Sequence, residues 1–100
     1  MVIVDVTVIP VGKATSVSKY VADIHKVLND KNVKYQLTPM STIIEGELED
    51  LLQIIQEIHE VPFKHGIGRV CTNVRIDDRR DIENSMKRKL KSVEERIERM

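Results

Sequence analysis

Glu45 is the residue of this chain best placed to do chemistry. It ends the run Leu37-Thr38-Pro39-Met40-Ser41-Thr42-Ile43-Ile44-Glu45, and Gly46 follows it. A carboxylate in such apolar company costs free energy unless it is paired, hydrated or used. Two readings stay open. Together with Thr42 and Met40, Glu45 binds the edge of a polar heterocycle; alternatively it forms an ion pair with an arginine across a sheet. Pro39 fixes one backbone angle and donates no hydrogen bond, so the chain reverses here and a second strand leaves carrying Glu45.

Other polar groups are less pointed. Arg69, Asn73 and Arg75 alternate along a later strand and either clamp a phosphate or balance Asp5 and Glu45. Gly12 and Lys13 precede Thr15, Ser16 and Ser18 at a helix start, a place for an anion or for ordinary hydroxyl caps. The Walker spacing is absent. His25, His59 and His65 are scattered without the spacing of a metal site and are expected at the surface. Cys71 is the single cysteine; it reads as a small buried residue and excludes an intrachain disulfide. No nucleophile, base and orienting group assemble, so no catalytic residue, metal or cofactor is expected.

Composition narrows the classes. One hundred residues suit one domain with one core. Sixteen basic and sixteen acidic residues cancel, which argues against a general polyanion binder. Only three aromatics are present, too few to stack single-stranded nucleic acid. No apolar run approaches the roughly 20 residues of a membrane span, and the first residues lack the features of a signal peptide. Neither nucleic acid nor membrane is an expected partner, and the expected compartment is the cytoplasm.

The elements that must position Glu45 follow from periodicity. Residues 2–9 alternate, with Val2, Val4, Val6 and Val8 on one face and Ile3, Asp5, Thr7 and Ile9 on the other. Val17, Tyr20, Val21, Ile24, Val27 and Leu28 recur at helical spacing up to about Asp30. Strands are expected over 33–38, 42–45 and 68–77. A helix opens at Glu47, Glu49 and Asp50 and ends before Gly66, with Leu48, Leu51, Leu52, Ile55 and Ile58 as its stripe. A last helix is expected over 79–99, with Ile82, Met86, Leu90, Val93 and Ile97 on one side.

This βαββαβ order, plus a C-terminal helix, predicts an α+β ferredoxin-like fold: an antiparallel sheet of order 4-1-3-2 with both crossover helices on one face. Residues 1–78 form the domain, and residues 79–100 form a helix of the same domain that makes an oligomer contact. The second sheet face carries Asp5, Thr7, Glu45, Arg69, Asn73 and Arg75 among isoleucines. It is too apolar for water and too charged for a core, so it is expected to meet another subunit. Residues 45–60 carry six acids and no Lys or Arg, whereas 79–99 is net basic, a segregation that suits contact between subunits.

Several stretches occur in a telling order: Val6-Thr7-Val8-Ile9-Pro10-Val11-Gly12, Ser16-Val17-Ser18-Lys19-Tyr20-Val21-Ala22, Tyr35 through Gly46, Gly68-Arg69-Val70, and Arg75-Ile76-Asp77-Asp78-Arg79-Arg80. Together they resemble the thiamine-binding-protein (YkoF-like) family over nearly the whole chain before the last helix. The resemblance implies a ferredoxin-like fold, homodimers whose sheets pack together, and homotetramers as the common state of single-domain members. It also implies binding of thiamine or its hydroxymethylpyrimidine portion, without catalysis, in thiamine supply or salvage. The implied ligand set is Thr7, Ser18, Met40, Thr42, Glu45 and Arg69. Glu45 would accept from the pyrimidine edge, Thr7, Thr42 and Ser18 would offer hydroxyls, and Met40 an adaptable apolar wall. The competing classes are a regulatory or scaffolding oligomer and a small enzyme using Glu45 with Asp5 as an acid/base pair.

Overall fold

The computed structural model describes residues 1–12, 18–83 and 85–99, with Ser18 described in its backbone only. Among the described residues, seven elements follow in order: β1 (Val2–Pro10), α1 (Ser18–Asp30), β2 (Lys34–Leu37), β3 (Thr42–Gly46), α2 (Leu48–Lys64), β4 (Val70–Asp78) and α3 (Met86–Glu98). The strands form one antiparallel sheet of order β2-β3-β1-β4. That is the ferredoxin-like arrangement expected from the sequence. The loop hydroxyls Thr15 and Ser16 lie outside the described residues.

Alternation on β1 sets the two faces. Val2, Val4 and Val6 join Ile44 of β3, Ile24 and Leu28 of α1, and Leu51, Ile54, Ile58 and Val61 of α2 in a single buried cluster. Both crossover helices therefore cover the even-numbered face of β1. In α2 the stripe is rotated from its expected position: Ile54 is buried, while Leu52 faces outward. The reason is that the helix packs through 51, 54, 58 and 61, a tighter line than the broad apolar row in the sequence.

Local chemistry places β2 and β3. Asn32 takes a positive φ of 54° after α1, and the Asn32 and Val33 amides bond to the Asn29 and Leu28 carbonyls at 3.1 and 3.3 Å. This C-cap ends the helix and starts β2 at Lys34. At the other end of β2, Thr38 Oγ1 accepts from the Ser41 and Met40 amides at 3.0 and 3.3 Å, and Thr38 N–H donates to the Ser41 carbonyl at 2.9 Å. The reversal expected at Pro39 is thus closed by a threonine side chain.

The last helix is shorter than expected. It begins at Met86, not residue 79, because the preceding charges pair among themselves: Arg79 with Asp81 and Arg80 with Asp78, each at 2.8 Å. Such pairs at i, i+2 do not share a helix face. Ser85 then caps the helix, its hydroxyl accepting from the Arg88 amide at 3.1 Å. Ile82 falls outside α3. No residue of α3 is buried, and the molecule extends to 50 × 30 × 21 Å.

Candidate functional site

Glu45 sits where three elements meet. In the sheet register it lies opposite Ile3 of β1 and Lys34 of β2, which puts it on the face that α1 and α2 leave open. Only 4 % of the residue is exposed. Its Oε1 accepts from the Met86 amide at 2.9 Å, and its Oε2 meets Lys34 Nζ at 3.1 Å. Met86 opens α3, so the carboxylate faces the positive end of that helix and satisfies one of its orphan amides. Lys89, one turn on, pairs with Asp77 of β4. Asp77 and Glu45 flank Ile3 in the register, and Ile3 is buried.

The partner of Glu45 is therefore a lysine and a helix end, not an arginine. Arg75 instead pairs with Asp5, directly opposite on β1 and β4, at 2.8 Å. Both carboxylates of the suggested acid/base pair are thus engaged by cations. Lys34 and the α3 amide are the two groups that reading the sequence missed. Lys34 is identifiable only once the β2–β3 register is known, and the amide belongs to a backbone 41 positions away.

The remaining expected ligands do not gather around Glu45. Thr7 shares its face, four residues along β1 from Ile3, roughly 13 Å away at ordinary strand rise. Thr42 registers with Val6 and belongs to the helix-covered face. Parity separates the two residues: positions 42 and 45 on one strand point to opposite sides. Met40 is 84 % exposed in the β2–β3 turn. Arg69 is exposed at the far end of the sheet, where its carbonyl accepts from Val11 at 2.8 Å, roughly 25 Å along the strand from Ile3. Ser18 opens α1, and its side chain lies outside the described residues.

Glu45 also borders an open groove of about 860 Å³ between the start of β2 and the length of α2. Val33, Leu51 and Ile54 give it apolar surface. Glu45, Glu47, Asp50, Glu57 and Glu60 outnumber Lys31, Lys34 and Lys64 along it, so its charge favours a cation.

Two expectations about other groups are corrected. Cys71 is exposed, because it registers with Ile9 on the open face of edge strand β4. His59 is half-buried, its Nδ1 2.7 Å from Thr72 Oγ1. His25 is also half-buried, edge-on to Tyr35 with ring centroids 5.1 Å apart, and its Nε2 is buried without a hydrogen-bond partner among the described residues. Both project from the inner flanks of their helices, which scattered positions in a sequence do not reveal. His65, at the end of α2, bonds Asp23 of α1 at 2.6 Å. No cluster of potential metal ligands occurs among the described residues, and no helix there is long and apolar enough to cross a membrane.

Residues 4–94 match the model of a family described as thiamine-binding protein. The UPF0045 protein YqgV of Bacillus subtilis is 53% identical over 98% of this chain and 99% of its own length. A UPF0045 protein of Staphylococcus xylosus is 56% identical over 94% of this chain and 92% of its own. Among solved structures, the hypothetical protein MJ1052 of Methanocaldococcus jannaschii superposes with a TM-score of 0.84 at 37% identity, covering 94% of this chain and 96% of that one. A Thermotoga maritima protein provisionally assigned to thiamine biosynthesis or salvage superposes at 0.77, covering 92% of this chain and 97% of that one. Its 18% identity speaks to the fold alone.

Proposed function

Because the chain belongs to the thiamine-binding protein family, we propose that it binds thiamine or the hydroxymethylpyrimidine portion of thiamine, without catalysis, as a homo-oligomer serving thiamine supply or salvage. One observation carries the reading: Glu45, an acidic residue only 4 % exposed, is among the residues that line a groove of about 860 Å³. A carboxylate has about four lone-pair positions. Met86 N–H and Lys34 each take one, which leaves capacity for an aminopyrimidine donor. The acid excess of the groove suits the permanent positive charge of a thiazolium ring, and its apolar wall suits the rest of the ligand.

In this reading Glu45 is the anchor. The open sheet face is the subunit contact, and a two-fold axis through it brings the Thr7 end of one protomer towards the Glu45 end of its partner. Met40 and Arg69 take part only where a neighbouring protomer supplies them. Thr42, on the other face, does not. The protein acts on its ligand by holding it.

Calorimetry with thiamine and with hydroxymethylpyrimidine tests the proposal. Heat of binding with either, weakened at least tenfold by Glu45→Gln, supports it. No heat with both, at protein concentrations above micromolar, sinks it. Binding that Glu45→Gln leaves unchanged removes Glu45 from the site and leaves it a structural cap for α3.

A further inference from the structure

The side chain of Glu45 is 2% exposed, whereas that of Lys34, whose Nζ lies 3.1 Å from Glu45 Oε2, is 62% exposed. A ligand reaches so enclosed a carboxylate only when one of its two partners among the described residues gives way. The Met86 amide is a backbone group, held at the start of α3 by the Ser85 cap and the pairing of Lys89 with Asp77. Lys34 is held by nothing comparable. It stands on β2, an edge strand, and its ammonium swings into water on a flexible stem.

Charge then selects what replaces it. A buried carboxylate stripped of its counter-charge is strongly unfavourable, and a neutral ligand that displaces Lys34 leaves Glu45 in that state. An organic cation carrying an N–H donor restores both the hydrogen bond and the charge. Lys31, which lines the same groove, shows the contrast. It bridges to Glu57 of α2 at 3.6 Å, with side chains 52% and 47% exposed. Water already compensates Glu57, so an exchange there gains little.

We infer that Lys34 is a tethered counter-ion which the ligand's own positive charge displaces from Glu45, and that this exchange selects a cationic ligand over a neutral one with the same donors. The inference rests on the binding reading above and narrows it. Thiamine carries a permanent charge as well as an amino group; hydroxymethylpyrimidine carries the amino group alone. Glu45 stays compensated throughout, by Lys34 before binding and by the ligand after it. Lys34 is therefore a specificity-determining residue that competes with the ligand for one oxygen.

Calorimetry at mildly alkaline pH, where the pyrimidine is neutral, tests this with Lys34→Met, Lys34→Arg and Lys31→Met beside the unaltered chain. The unaltered chain is expected to hold thiamine at least about tenfold more tightly than hydroxymethylpyrimidine, the equivalent of 1.4 kcal/mol. Lys34→Met, which removes the competitor, should tighten thiamine by about tenfold, and Lys31→Met by about twofold at most. Thiamine binding that Lys34→Met leaves unchanged or weakens overturns the exchange while the binding reading stands. An equal gain from Lys31→Met overturns it too, since the groove's overall charge then explains the effect. A pyrimidine held as tightly as thiamine by the unaltered chain overturns the selectivity. No heat with either compound, from the unaltered chain and Lys34→Met alike, sinks the binding reading and the inference with it. Should circular dichroism show Lys34→Met misfolded, Lys34→Arg decides. A forked guanidinium grips the carboxylate through two bonds, so thiamine should weaken by about tenfold, and binding unchanged or tighter refutes the exchange.

Discussion

Glu45 Oε1 accepts a 2.9 Å hydrogen bond from the amide of Met86, a residue 41 positions later, so a sheet carboxylate caps a helix that belongs to no part of the core. The bond joins a buried charge to a helix dipole and fixes where α3 leaves the domain. Lys34 completes the neutralisation from the neighbouring strand.

Replacing that charge loosens the helix exit. Glu45→Gln is expected to lower unfolding stability by about 1.5–3 kcal/mol, the scale of a charge-assisted hydrogen bond. The effect should concentrate at the start of α3. Urea denaturation gives the magnitude, and amide exchange at Met86 gives the location; exchange there at the wild-type rate would contradict the assigned bond.

The core responds differently. Leu28 is fully buried in the cluster between α1 and the sheet, so Leu28→Ala should cost about 2–5 kcal/mol. Leu90→Ala, on the exposed stripe, should leave the stability of an isolated protomer within about 0.5 kcal/mol. Denaturation at concentrations where the protein is monomeric separates the two.

Asp5 and Arg75 face each other across β1 and β4 at 2.8 Å, with the arginine largely in water. A double-mutant cycle with Asp5→Ala and Arg75→Ala should give a coupling of about 0.2–1 kcal/mol, reduced by salt. A coupling well above that range would mean the face is covered in the species measured.

Acid should release the segment before α3. A side-chain hydrogen bond from Arg80 holds the Asp78 carboxyl below 3.8, and one from Arg79 does the same for Asp81. Depressed carboxyl values stabilise the fold above the unfolded value of 3.8, and the gain is lost as pH falls through the folded values. Both groups are exposed, so the consequence is local. Carbon-detected titration should place both midpoints below 3.8, with the amides of residues 79–82 losing protection at lower pH and the core signals unmoved.

Much of the architecture is legible in the residues. The valines of β1 and the leucine and isoleucine rows of the helices specify the sheet, its helix-covered face and the strand order. What the sequence withheld depends on register and rotation. Thr42 and Glu45 look like neighbours in the chain, but a strand turns them to opposite faces. Lys34 meets Glu45 because Asn32 ends α1 where it does. Leu52 reads as core, yet the choice of Ile54 as the packed position rotates it outward. Arg79, Arg80 and their aspartates resemble a helix start by composition, and local pairing delays the helix to Met86. At the site itself, the apolar setting of Glu45 was readable, whereas its partners come from a strand pairing and a backbone amide.

The strand order has a consequence for how the molecule is made. β1 comes first in the chain but lies inside the sheet, between β3 and β4. During synthesis Val2, Val4 and Val6 emerge long before either neighbour exists, and their final ladder waits for residues 70–78. Pairings this distant are slow to close, so the nascent chain carries β1 without its β4 partner until residues 70–78 have been made. The segment that anchors the finished sheet is the one most in need of shelter on the way there.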